Sequence, residues 1–117
     1  MISHDEPWQW HAETHADRTV VSLAGELDVS SADELRGLLS DTIRATAVVA
    51  VDLSALTFID STALSVLIWA HQEAAHAGGS LTVHNPTGHV RRVLDVTGVL
   101  PLLGPDDEPG TVRAVAP

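Results

Sequence analysis

Asp60 and Ser61 stand together where an apolar run gives way to a helical pattern. Two chemistries fit that placement. A carboxylate or hydroxyl at a helix start satisfies free backbone amides and stabilises the helix by about 1 kcal/mol. Alternatively, the Ser61 hydroxyl is exposed where the helix dipole and free amides favour an anion, and it can accept a phosphoryl group without breaking the fold. A second acidic stretch, Leu23-Ala-Gly-Glu-Leu-Asp28, ends just before another helical pattern. Asp28 there suits a turn or pre-helix cap.

Other chemistry-bearing residues are harder to assemble. Seven histidines invite a metal reading. His11 and His15 share a strand face but sit ~13 Å apart along it, too far to hold one ion. His71 and His76, five apart, match one helical face poorly. No cysteine is present, which removes disulfides, thiolate metal sites and cysteine nucleophiles together. Phosphate-binding loops, dinucleotide fingerprints, HExxH and GxSxG are also missing. Serines and histidines are too common here for their co-occurrence to suggest a triad. The expectation is a non-enzyme with no metal and no cofactor.

Sixteen acidic residues against six basic ones, all arginine, give a net charge of -10. Such a domain repels phosphate backbones and anionic lipid, so nucleic-acid binding and polybasic membrane anchoring are poor fits. No apolar run approaches the ~20 residues of a membrane-spanning helix. With no basic, apolar leader at the N-terminus, cytoplasmic residence is expected.

These residues need elements to hold them. Trp8, Trp10 and Ala12 alternate as on one strand face. That strand forms a hairpin with Arg18–Ala24, which Gly25 is expected to stop. The Trp pair either covers one end of the sheet or forms an apolar patch for self-association. Ser31-Ala-Asp-Glu34 reads as a capping box opening an amphipathic helix through Arg44. Ala47–Leu53 reads as a buried strand, Ser54–Asp60 as a connection, and residues 62–77 as a helix ended by Gly78-Gly79. A strand over Ser80–His84 and a helix between Thr87 and Gly98 follow. The expected core is Ala32, Leu35, Leu39, Val49, Val51, Leu64, Leu67, Ile68, Val90, Val93 and Leu94. Strands alternating with helices indicate an α/β fold with parallel crossovers.

LAGELD (23–28), VDLSALTFIDSTAL (51–64) and VRRVLDVTGV (90–99), in this order and spacing, resemble the STAS-domain anti-sigma factor antagonists of bacteria. The resemblance implies a single STAS-like domain over residues 8–103, with a small mixed sheet and helices largely on one face. Residues 1–7 would be an N-terminal extension and 104–117 a frayed acidic, Pro/Gly-rich tail. It also implies a function. The unphosphorylated antagonist binds an anti-sigma factor serine kinase and releases a sigma factor; phosphorylation ends binding, and a metal-dependent serine phosphatase restores it. On this sequence the phosphoacceptor would be Ser61, with Thr62 the neighbouring hydroxyl. Glu26, Asp28, Asp60, Thr62, Ala63 and Leu64 would form the partner surface. The family usually has glycines where this chain has Ala63 and Ser65, and the Ala63 methyl is expected to crowd a partner's approach. The alternative is an accessory or scaffold STAS subunit of a stress-signalling complex or of a lipid-transport ATPase. A homodimer is compatible with either.

Overall fold

Two runs of β-branched and aliphatic residues build the centre of the sheet. Arg18–Leu27 (β2) and Val48–Ile59 (β3) pair in parallel. Trp8–His15 (β1) adds to the outer side of β2, antiparallel, and Ser80–His84 (β4) adds to β3, parallel. The computed structural model describes residues 7–105 and gives the sheet order β1-β2-β3-β4. Helix α1 (Ala32–Ala45) connects β2 to β3, and α2 (Ser61–His76) connects β3 to β4. After β4 come α3 (Gly88–Val96) and a short α4 (Leu100–Leu103).

Burial alternates along the strands and assigns the faces. Val21 and Leu23, Val49, Val51 and Leu53, and Leu81 and Val83 are all buried, and the register sets them side by side. Leu35 and Leu39 of α1, Leu64 and Leu67 of α2, Val90 and Leu94 of α3 and Leu103 of α4 close one cluster over them. The opposite face carries Ser22, Asp52, Thr82 and His84, half-buried, and exposed His11, Glu13 and His15. The expected mixed sheet with helices largely on one face is therefore present. Arg36 lies over the Trp69 ring at 4.2 Å, tying α1 to α2 outside the core. His71 Nδ1 donates to the Leu81 carbonyl at 2.7 Å, pinning α2 to β4.

Several details differ from the sequence expectation. Gly25 does not stop β2. It sits inside the strand at φ +91, and its Glu26 neighbour donates to the Pro7 carbonyl. Ser54–Ile59 is not a connection but the second half of β3. Alternation hides this, because β3 carries one extra residue relative to β2 between the Ser22 and Ala24 positions and another between Gly25 and Glu26. Ile68 and Val93 are only partly buried, at the margin of the core. The capping box is also displaced. Asp28, not Ser31, is the cap: Asp28 Oδ1 accepts from Ser30 N at 2.9 Å, and Ser31 Oγ accepts from Asp28 N at 3.0 Å. This closes a 3₁₀ turn over Val29–Ser31, and α1 starts behind it. Glu34 is occupied elsewhere, accepting from Trp8 Nε1 at 3.3 Å. The Trp pair divides: Trp8 is buried and covers the sheet end, while Trp10 is 49% exposed. Of the expected tail, residues 106–117 lie outside the described residues, as do residues 1–6 of the N-terminal extension.

Candidate functional site

The two acidic stretches meet at the carboxyl ends of β2 and β3. Glu26 pairs with Phe58 and Leu27 with Ile59, and Asp60 N donates to the Leu27 carbonyl at 3.1 Å. One strand then turns into the Asp28 cap and the other into α2. A parallel pair thus delivers Glu26, Asp28, Asp60 and Ser61 to one rim, although 32 residues separate Asp28 from Asp60 in sequence.

Gly25 sets the geometry of that rim. A Cβ on it would meet the Pro7 carbonyl oxygen at 2.1 Å, and its positive φ excludes L side chains comfortably. Thr57 Oγ1 donates to the Gly25 carbonyl at 3.0 Å, fastening the second bulge. Asp52 fastens the first, accepting from Ser54 N at 3.1 Å and from Asn85 Nδ2 at 3.2 Å.

Asp60 and Ser61 take different tasks. Asp60 is the N-cap of α2, in extended backbone, with Oδ1 accepting from Ala63 N at 2.9 Å. Its carboxylate satisfies a free amide of the first turn. Ser61 is the first helical residue and is exposed. Its carbonyl accepts from Ser65 Oγ at 2.9 Å, and among the described residues nothing hydrogen-bonds its own hydroxyl. So capping falls to Asp60, and Ser61 Oγ is left free at the positive end of a sixteen-residue helix. Thr62 is exposed beside it. Asp28 is partly exposed; the Ser30 hydroxyl at 2.6 Å, then the Ser30 amide, hold its carboxyl below the usual carboxylate range.

Two residues expected on the partner surface are buried instead. Ala63 is fully buried and Leu64 is 5% exposed, because both point from the first turn of α2 into the core. The Ala63 methyl therefore does not crowd an approaching partner. Ser65, the other glycine replacement, is exposed and bonds its own helix.

Three residues of the rim were not legible beforehand. Val29 is 69% exposed in the 3₁₀ turn. Phe58 is 38% exposed and stacks on His89 of α3, ring centroids 5.0 Å apart. The extra residue in β3 turns Phe58 outward, and strand alternation alone does not reveal that. Phe58 one position before Ile59-Asp60 was the available signal. The rim combines exposed and partly exposed carboxylates, apolar side chains and the hydroxyls of Ser61 and Thr62, neither of which is hydrogen-bonded among the described residues. Neither of two cavities of about 460 and 530 Å³ includes Ser61. This suits contact with another protein surface better than capture of a small molecule. No group of three metal-ligating side chains occurs among the described residues.

Comparison with known proteins identifies the family. The family model described as "Mlab, STAS domain" matches residues 10–104. The anti-sigma-B factor antagonist of Bacillus subtilis is 34% identical over 79 residues, covering 68% of this chain and 72% of that protein. The chain belongs to the STAS-domain family of anti-sigma factor antagonists. A second relative, the anti-sigma F factor antagonist of Paenibacillus polymyxa, is 29% identical over 97 residues, covering 81% of this chain and 83% of its own. The crystal structure of an anti-sigma factor antagonist from Mycobacterium paratuberculosis superposes with a TM-score of 0.73 at 25% identity, over 88% of this chain and 87% of that one. The STAS match spans the sheet, the Asp60–Ser61 junction and α3. No helix among the described residues is long and apolar enough to cross a membrane.

Proposed function

We propose that this STAS domain is a phosphorylation-switched antagonist acting on an anti-sigma factor serine kinase in the cytoplasm. Unphosphorylated, it binds the kinase through the rim of Glu26, Asp28, Asp60 and Thr62 and so frees a sigma factor. Phosphorylation of Ser61 ends the interaction, and a metal-dependent serine phosphatase reverses it. The domain itself catalyses nothing in this cycle; it is substrate and ligand.

The observation that carries the reading is the division of labour at the start of α2. Asp60 supplies the cap, so the Ser61 hydroxyl is free, exposed and placed among carboxylates. A serine needed for capping would cost the helix its first turn when modified; this one would not. The test is incubation with the cognate kinase and ATP, followed by mapping of the phosphate by mass spectrometry. Modification at Ser61 is expected. Modification only at Thr62 defeats the assignment.

The matching family model, whose description is that of MlaB, favours a second reading: an accessory STAS subunit of a stress-signalling scaffold or of a lipid-transport ATPase. In that role the domain would hold its partner whether or not Ser61 carries phosphate. Co-purification from the native cell separates the two by the partner recovered.

A further inference from the structure

β1 is an outer strand of the sheet, and among the described residues no strand pairs with its outer edge. Glu26 N donates to the Pro7 carbonyl at 2.9 Å, which sets the parity of the β1–β2 ladder. Gln9, His11, Glu13 and His15 exchange backbone bonds with β2, and the amides and carbonyls of Trp10, Ala12 and Thr14 point out of the sheet. Natural sheets blunt such edges with lysine, proline, a bulge or a covering segment. Residues 8–15 contain neither lysine nor proline, and their pairing with β2 runs without a register shift. On this bare edge Trp10 is 49% exposed, beside a groove of about 460 Å³ between β1 and α1 that Leu38 and Ala45 also line.

We infer that β1 pairs antiparallel with β1 of a second copy of this chain, about a twofold axis through Ala12, joining two four-stranded sheets into one. The outward-pointing residues must form the bonded pairs, so only registers that set even positions against even positions are open. With Ala12 against Ala12, Trp10 lies opposite the second copy's Thr14. The closely spaced, non-bonded positions then set His11 opposite Glu13, twice, on the open face of the sheet. Sliding by two residues in one direction sets His11 against His11, and in the other Glu13 against Glu13. A slide of four puts Thr14 on the axis and Glu13 opposite His15, but it pairs only residues 13–15 of each strand, against residues 9–15 in the central register, which therefore sets histidine against carboxylate over the longer ladder. Glu13 already takes two histidines of its own strand, His11 at 3.4 Å and His15 at 3.6 Å, so its carboxylate lies on the open face with them. The axis crosses mid-strand, and the Ser61 rims stay uncovered at opposite ends of the joined sheet. Two copies, each of net charge -10, repel at long range, so the association strengthens with salt.

The chain has no cysteine, which makes the register directly testable. Bonded antiparallel residues stand ~5.5 Å apart between Cα atoms, inside the ~4.4–6.8 Å a disulfide spans. In the full chain under mild oxidation, Ala12→Cys should give a disulfide-linked dimer on a non-reducing gel. Trp10→Cys should not, since its two copies stand ~13 Å apart along the strands. Sedimentation should move from monomer to dimer with concentration, at a lower midpoint in higher salt. Ala12→Pro removes only an outward amide and should stay monomeric with an unchanged circular dichroism spectrum. Glu13→His sets histidine against histidine and should raise the midpoint on the order of tenfold; adding His11→Glu should restore it. A monomer at every concentration and salt overturns the inference. So does cross-linking of Trp10→Cys, or of Ser40→Cys on α1, as strong as that of Ala12→Cys.

Discussion

Asp60 hangs from Leu27: its amide donates to the Leu27 carbonyl at 3.1 Å, one residue past the last matched pair of β2 and β3. This bond carries the ladder into the rim, so the Asp28 turn and the start of α2 are held by one backbone frame. The rim is thus tied to the backbone frame of the sheet, although its residues stand in turns.

Gly25→Ala should be among the most damaging single-methyl changes. The new Cβ would meet the Pro7 carbonyl oxygen at 2.1 Å, against backbone that cannot swing aside, and the φ of +91 adds strain. A cost of about 2 kcal/mol or more is expected. Chemical denaturation measures it. The same change at Gly37, where a Cβ meets nothing within 4 Å, should be neutral or stabilising.

Asp60→Ala should cost about 1 kcal/mol through loss of the α2 cap, lowering the melting midpoint by ~5 °C. Asp60→Asn keeps an acceptor for Ala63 N and should recover most of that. If Ser61→Ala instead lowers the midpoint as much as Asp60→Ala, the cap is the serine and the free hydroxyl is an error.

Acid should loosen the β2–α1 turn. The Ser30 hydroxyl and amide stabilise the ionised form of Asp28 and lower its pKa on folding. A depressed folded pKa gives stability that is fully present above the unfolded value, near 4, and is lost as pH falls through the folded one. Asp28→Asn should therefore show a smaller loss of stability than the parent between about pH 5 and pH 2. Denaturant midpoints across that window decide it; parallel curves for the two proteins would show that Asp28 contributes nothing there.

How much of this was legible follows from which signals are local. Leu35 and Leu39, or Leu64 and Leu67, announce their helices by spacing, and Ser80–His84 is bounded by glycine and proline. Those elements stand where the sequence puts them. The second half of β3 was illegible because two extra residues break strand alternation, and only pairing with β2 shows that Leu56 and Ile59 are inward again. The capping box was shifted because Ser31 has a stronger use, closing the turn behind Asp28. Ser61 was legible as a position, but its freedom was not. That depends on Asp60 taking the cap, and both residue types cap helices.

Ser61 should accept phosphate with little change in fold and a large change in binding. The phosphoryl group brings a charge of about -1.5 to -2 at neutral pH. The α2 dipole and the free first-turn amides offset that by ~0.3–1 kcal/mol. Asp60 beside it and Glu26 and Asp28 across the rim oppose it through solvent, where exposed like charges cost little. These contributions nearly cancel, so the modified domain should melt within a few degrees of the unmodified one. At the partner surface the balance differs. A contact that fits a neutral hydroxyl must strip water from a dianion with no added cation to receive it. A penalty of ~3 kcal/mol there lowers affinity by more than a hundredfold. Ser61→Ala should bind the anti-sigma kinase whether or not ATP is present, and Ser61→Asp should bind poorly at an unchanged melting midpoint. Calorimetric titration of the kinase with both variants gives the comparison, and equal affinities would show that charge at Ser61 is not the switch.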